Sequence, residues 1–123
     1  MNPTQSPFVA EGILILTAGI FGILLDRAKK PYGKVKLVIH LFFASWFAVG
    51  FGFVLYGLFT MNATKIIWIP VALIGFAILT QLVTGILMLA STREGKAFPN
   101  VHLFSAIVMV VSDICAFFIA GVR

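Results

Sequence analysis

Two histidines, His40 and His102, are the residues of this sequence best suited to bind a metal. Both stand in one repeated phrase, which begins as "GKVKLVIHLFFA" at Gly33 and as "GKAFPNVHLFSA" at Gly95. The sequence contains no other histidine. Neutral imidazole is a common metal ligand, and two imidazoles can take the axial positions of a haem iron. The repeated phrase therefore predicts a paired histidine site.

Two acidic residues, Glu11 and Asp113, form a second candidate site. Glu11 lies eleven residues before Gly22, and Asp113 lies eleven residues after His102. In helices this spacing is close to three turns, so each acid shares a face with its reference residue, about 16 Å away. Charging an acid in an apolar interior is costly, and two acids that face each other favour a shared proton. We expect a proton relay or a quinol-binding group here, with Gln81 on the same polar face.

The elements that must position these residues are membrane-spanning helices. Hydrophobic residues are 61% of the chain, charged residues are 11%, and the mean hydropathy is +1.11, which excludes an ordinary soluble domain. Four runs can each cross a hydrocarbon core of about 30 Å, and none shows the alternation of a barrel strand. The runs are Phe8 to Leu25, Leu37 to Thr60, Ile66 to Ser91 and Val101 to Gly121. We predict one all-α transmembrane domain, residues 1–123, built as a four-helix bundle.

The distribution of basic residues predicts how the chain crosses the membrane. Seven of the nine Lys and Arg residues lie in the first and third connections. The positive-inside rule places these connections in the cytoplasm and both termini outside. The formal net charge of +5 then indicates topology and contact with anionic lipid, not nucleic-acid binding. No phosphate-binding loop, nucleophile–base set or dinucleotide fingerprint is present, so the chain is not expected to be catalytic alone.

The two histidine phrases belong to a longer internal repeat. The segment "ILTAGIFGILL" aligns with "ILTQLVTGILM", which places Gly22 opposite Gly85. We predict a duplicated helical hairpin, about residues 8–60 and 66–121, with a pseudo-twofold axis along the membrane normal. The histidines and glycines of the two halves then meet at one depth near the cytoplasmic side. The glycines are expected to leave room for the edges of a porphyrin.

Residues around the histidines extend the prediction of a haem site. The basic connections, together with Tyr32 and Asn100, are expected to meet the haem propionates through charge-assisted hydrogen bonds. Five aromatic residues are expected to form an apolar wall: Phe42, Phe43, Trp46, Phe47 and Phe104. The sequence supplies histidines for one haem only. Electron transfer across the whole membrane by this chain alone is therefore not expected.

The overall pattern resembles that of the membrane-bound b-type cytochromes. Histidines lie on the second and fourth helices, glycines lie on the first and third, and a Gly-Ile-Leu run precedes each basic loop and His-Leu-Phe. The likeness covers nearly the whole chain. It implies haem b held by His40 and His102, electron exchange with a quinone pool, and partner membrane subunits in a larger respiratory or photosynthetic oxidoreductase complex. Many such cytochromes carry two stacked haems, whereas this sequence has ligands for one.

Other interpretations of the same residues stay open. Each histidine can instead bind a chlorophyll magnesium, or hydrogen-bond a neighbouring helix in a cofactor-free accessory subunit of a larger membrane enzyme. Glycines also serve close helix packing in membranes. Glu11 starts the first helix, where an acid can be hydrated and interacts favourably with the helix dipole. An ion-translocating proteolipid likewise has a duplicated hairpin and an acid on its fourth helix, but that function leaves the histidines unexplained.

Overall fold

The computed structural model describes residues 1–26, 33–90 and 97–122, and most of them are helical. The helices are α1 Ser6–Asp26, α2 Lys34–Thr60, α3 Trp68–Ala90 and α4 Ala97–Gly121, with a 3-10 turn Lys65–Ile67 leading into α3. The described ranges contain no strand. All four helices are long and apolar enough to cross a membrane. The chain is therefore an all-α, multi-pass integral membrane protein, as predicted.

The helices extend beyond the apolar runs at their polar ends. α2 begins at Lys34, ahead of Leu37, and α4 begins at Ala97, ahead of Val101. A lysine at such a helix end can keep its ammonium group in water while its aliphatic stem covers apolar surface, so it does not stop the helix. Pro70 lies in the first turn of α3, where a missing backbone N–H removes no helical hydrogen bond.

Two hairpins pack together to form the bundle. α1 packs against α2, α3 packs against α4, and the hairpins join mainly along α1 and α4. α2 and α3 contact each other through side chains, and the rings of Phe59 and Trp68 have centroids 4.7 Å apart. Only 17% to 33% of each spanning segment is buried inside the bundle. Most apolar side chains therefore face outward, where lipid replaces water as the solvent.

The buried faces of the two hairpins correspond as a duplication predicts. In four pairs of equivalent positions both residues are apolar and buried: Phe8 and Val71, Phe47 and Met109, Val54 and Ala116, Leu58 and Ala120. The equivalent residues Thr17 and Thr80 are half-buried, and each donates its hydroxyl hydrogen to the carbonyl four residues earlier, at 2.8 and 3.0 Å. The same helix faces thus point inward and outward in both halves.

The residues before α1 form hydrogen bonds with the C-terminal end of α4. The Asn2 side-chain amide donates to the carbonyl of Ala120 at 3.0 Å. The Thr4 hydroxyl lies 2.5 Å from Asn2 Oδ1 and 3.1 Å from the same Ala120 carbonyl, and its one hydrogen is closer to the Asn2 acceptor. The Gln5 side-chain amide donates to the carbonyl of Phe117, at 3.4 Å. The last carbonyls of a helix have no partner within the helix, so these bonds satisfy groups that would otherwise be unpaired. We call this the terminal end of the bundle, and the opposite end, where α2 and α4 begin, the histidine end.

Candidate functional site

His40 of α2 and His102 of α4 face each other at the histidine end. Both side chains are half-buried. Their ring centroids are 6.2 Å apart and their planes are tilted by 54°. A metal ion bonded at about 2 Å to one nitrogen of each ring requires centroids about 6 Å apart. The spacing of the two rings therefore fits two axial ligands of a single metal.

A hydrogen bond fixes which nitrogen of His40 carries the hydrogen. Nδ1 of His40 lies 2.8 Å from the carbonyl oxygen of Ala18 on α1. A carbonyl oxygen can only accept, so Nδ1 is the donor. In the neutral ring, Nε2 then holds the lone pair. This is the nitrogen, and the protonation state, that a metal requires.

His102 reaches the same protonation state with a different partner. Its Nδ1 lies 2.8 Å from the hydroxyl oxygen of Thr84 on α3. The Thr84 hydroxyl donates its one hydrogen to the carbonyl of Thr80, at 2.6 Å, and so it accepts from the imidazole. Nε2 of His102 is again the unprotonated nitrogen. Metal-ligating histidines almost always donate their second ring N–H to such a partner.

The two imidazole partners occupy related places in the repeat. Ala18, whose carbonyl accepts from His40, aligns with Gln81, and the Thr84 hydroxyl lies 3.4 Å from the Gln81 carbonyl. In the second hairpin, the Thr84 hydroxyl accepts the ring N–H of the histidine, as the Ala18 carbonyl does in the first. Sequence reasoning missed Thr84 because its counterpart in the first hairpin is Phe21, which has no hydroxyl.

Gly22 and Gly85 lie directly against the imidazoles. A Cβ on Gly22 would be 3.1 Å from His40 Cε1 and 3.3 Å from its Nδ1. A Cβ on Gly85 would be 3.5 Å from His102 Cε1. Glycine thus lets α1 and α3 approach the rings, more tightly at Gly22 than at Gly85. The expected room for a porphyrin edge stays a prediction, since what the glycines contact here is imidazole.

Most of the aromatic residues that were expected to line the histidine site point away from it. Phe42, Trp46 and Phe104 are 55%, 53% and 68% exposed, so they lie on the outer surface of the bundle. Phe47 is buried, but it lines the cavity around Glu11. The expectation failed because side chains a few positions apart on one helix point in different directions. Of the residues assigned to the propionates, Asn100 is exposed and Tyr32 lies outside the described residues.

The number of ligands limits the kind of metal that this pair can hold. Within the described residues, no group of three or more His, Cys, Asp or Glu side chains could hold a metal ion. A zinc site takes three or four ligands from the protein. Two opposed imidazoles instead suit a metal whose equatorial ligands belong to a macrocycle. His40 and His102 alone would leave most coordination positions of a bare ion without a protein ligand.

Glu11 of α1 and Asp113 of α4 lie together toward the terminal end. Each is 5% exposed. They line one narrow space that admits no water-sized sphere, and the other lining residues are Phe8, Phe47, Phe51, Val54 and Ile74. In the described part of the chain, Glu11 Oε2 and Asp113 Oδ1 are buried without a hydrogen-bond partner. Because Glu11 is buried, it is not the hydrated interfacial acid considered above.

Two glycines that sequence reasoning did not connect with the acids make space for them. A Cβ on Gly12 would be 3.0 Å from Asp113 Oδ2. A Cβ on Gly50 would overlap Glu11 Oε1 and lie 3.0 Å from its Cδ. No sequence signal pointed to this role, because glycine is common in membrane helices for packing reasons alone.

Gln81 is not part of the carboxyl pair, contrary to expectation. Its side-chain amide donates to the backbone carbonyl of His102 and to the hydroxyl of Ser105, the latter at 2.8 Å. It therefore lies at the histidine end, and it is absent from the lining of the carboxyl cavity. α3 packs closely on α4, so this amide reaches polar groups of α4 beside His102. Gln81 helps to hold the backbone that carries that ligand.

Comparisons with protein-family models, curated proteins and solved structures find no match to this chain. The resemblance to b-type cytochromes is therefore one of pattern. The geometry of the two sites is the basis for assigning function.

Proposed function

We propose that this chain is a membrane electron-transfer subunit that holds a single b-type haem between His40 and His102. The observation that supports this most strongly is the pair of imidazoles 6.2 Å apart, each with Nδ1–H donated to a fixed acceptor. This arrangement leaves both Nε2 atoms with lone pairs, on rings whose centroids are spaced as one iron between them would require. When bound, haem b supplies one-electron redox chemistry.

The chain's own residues would orient the two ligands and tune their donor strength. The Ala18 carbonyl and the Thr84 hydroxyl hold the rings in one tautomer and orientation, and such hydrogen bonds raise the basicity of a metal-bound imidazole. Gln81 holds the α4 backbone at His102 through its bond to that carbonyl. Gly22 and Gly85 remove side-chain volume beside the rings. The site is therefore built by helices of both hairpins.

Electron exchange would take place at the outer surface near the histidine end. Phe42 and Phe104 stand at equivalent positions, two residues after each histidine, and both are more than half exposed. A quinone or a partner subunit of a larger redox complex would approach the haem from this side. The positive-inside rule puts the histidine end toward the cytoplasm and both termini outside.

Absorbance spectra of the chain purified from membranes and supplied with haem test this proposal. A reduced-minus-oxidised spectrum should show one b-type haem per chain, and low-temperature electron paramagnetic resonance should show a low-spin ferric iron. His40→Ala and His102→Ala should each abolish the low-spin signal, because each removes one axial ligand. Thr80→Val is the matched control: the Thr80 hydroxyl donates to the Phe76 carbonyl and bonds to neither ligand, and the backbone carbonyl that Thr84 uses is unchanged, so this variant should keep the signal.

Three results would overturn the proposal. Failure to bind haem would leave the cofactor-free accessory subunit as the better interpretation. A magnesium tetrapyrrole in the pigment extract would favour the chlorophyll-binding alternative. A haem that keeps its low-spin signal in both histidine variants would show that other residues are its ligands.

A further inference from the structure

The buried carboxyl pair has no part in holding the haem, and it has a chemistry of its own. We propose that Glu11 and Asp113 form a proton-binding site, in which one proton is shared between the two side chains. The site lies about three helical turns from the histidines, toward the terminal end. It goes beyond the proposed electron-transfer function and does not depend on it.

The surroundings of the pair offer no other group to balance a charge. From α2, the side chains that face the two acids are Phe47, Phe51 and Val54, and Gly50 lies against Glu11. From α3 the facing side chain is Ile74, and from α1 it is Phe8. Among the described residues that line this cavity, Glu11 and Asp113 are the only titratable ones. A carboxylate buried in such surroundings is costly unless it is paired and hydrogen-bonded.

One shared proton lowers this cost, because it neutralises one of the two carboxyl groups and supplies a hydrogen-bond donor to the other. Two like charges in one dry compartment cannot both form cheaply, so one carboxyl stays protonated. Its O–H can then donate to the facing carboxylate, and a hydrogen bond to an ionised acceptor is among the strongest in proteins. This bond would give a partner to the oxygens that now lack one, Glu11 Oε2 and Asp113 Oδ1.

The size and composition of the cavity select the ligand. A space too narrow for a water-sized sphere holds neither a quinol ring nor a hydrated cation. Calcium takes about six to eight oxygen ligands, and apart from the two carboxyl groups the cavity wall is apolar. The repeat places Ile74 and Phe51 at the positions equivalent to the acids, and both fill the wall with hydrocarbon. A proton is the ligand that fits.

Infrared spectroscopy of the full chain in lipid membranes at neutral pH tests this assignment. The expected spectrum contains one protonated-carboxyl C=O band per chain, which shifts on exchange into deuterium oxide. Glu11→Gln and Asp113→Asn should each remove the band, because the amide N–H takes the place of the shared proton as donor to the remaining carboxylate. Both substitutions keep the side-chain shape, and circular dichroism confirms that the helices are intact.

The number of bands in each variant decides between the possible states. No band in the unsubstituted chain would mean that both acids are ionised, and would overturn the proposal. Two bands, with one left in each single variant, would mean two independent neutral acids, and would also overturn it. The double variant Asp26→Asn with Glu94→Gln, which changes the other two acids of the sequence, should keep the single band. The measurement needs no haem, so its outcome is independent of the electron-transfer proposal.

Discussion

Replacing Thr84 by valine should weaken haem binding by removing the acceptor of the His102 ring N–H. The Thr84 hydroxyl lies 2.8 Å from Nδ1 of His102, and its own hydrogen is already donated at 2.6 Å to the Thr80 carbonyl. Valine has nearly the same shape but cannot accept a hydrogen bond. The imidazole then keeps a partly buried donor without a partner, and its preferred tautomer is no longer held.

The expected loss of haem affinity follows from the position of the Thr84 hydroxyl, which accepts a hydrogen bond from the proposed ligand His102. Removing a partner of a metal-bound histidine weakens metal binding by about 10- to 100-fold. This corresponds to about 1.4 to 2.8 kcal/mol of binding free energy. Leaving a buried donor unsatisfied costs a similar amount, about 1–3 kcal/mol. Two independent considerations thus give the same range.

Titration of the haem-free chain with haem, followed by its absorbance, measures the effect. Thr80→Val is a matched control, because Thr80 lies one turn away on α3 and also donates its hydroxyl to the carbonyl four residues earlier, at 3.0 Å. It corrects for the change in helix propensity and for the lost backbone contact. Thr84→Ser, which keeps the hydroxyl, should bind haem almost as tightly as the unsubstituted chain. Equal affinities of the two valine variants would refute the reasoning.

Three further predictions use contacts at other positions. Gly22→Ala should weaken haem binding, because the new methyl group would lie 3.1 Å from the His40 ring. Gly19→Ala should not, because a methyl group there has nothing within 4 Å. Haem titration of both variants measures the difference. Gly50→Ala should unfold more readily than Gly52→Ala by about 1–3 kcal/mol, because only the first methyl group meets the buried carboxyl group of α1. Equal melting temperatures of those two variants would contradict this. Thr4→Val should speed hydrogen exchange at the end of α4, because it removes the hydroxyl that holds Asn2, and the Asn2 amide donates to the Ala120 carbonyl at 3.0 Å. An unchanged exchange rate would show that these bonds do not hold the helix end.

Sequence patterns predicted the helices well because their signal comes from the membrane itself. A long apolar run in lipid must satisfy its backbone groups internally, so length and composition are enough to identify a spanning helix. The repeat also predicted which positions share a face, and the buried pairs Phe47 with Met109 and Val54 with Ala116 agree with it. These features depend on periodicity, which a single sequence carries.

The partners of individual side chains could not be predicted in the same way. Thr84 and Gln81 find their partners on α4 because α3 and α4 lie in close contact, and the sequence does not encode that distance. Phe42 and Phe47 are five residues apart, yet one is 55% exposed and the other 3%. The two positions lie about 140° apart around the helix axis, and nothing in an all-apolar segment fixes which of them faces the bundle. The sequence therefore identified the polar residues as candidate site residues, but it did not predict which groups they contact.

The two halves of the chain place different residues at equivalent positions of the carboxyl cavity, and this makes one end of the bundle asymmetric. The repeat aligns Glu11 with Ile74 and Phe51 with Asp113. All four residues line the cavity, so each acid lies in the same cavity as its apolar equivalent. Each hairpin contributes one acid to this cavity, so two copies of the first hairpin would present two glutamates there, and two copies of the second would present two aspartates. A cavity with one glutamate and one aspartate requires halves that differ in sequence. One chain with two different halves can thus pair its histidines at equivalent positions and still be asymmetric at the opposite end of the bundle.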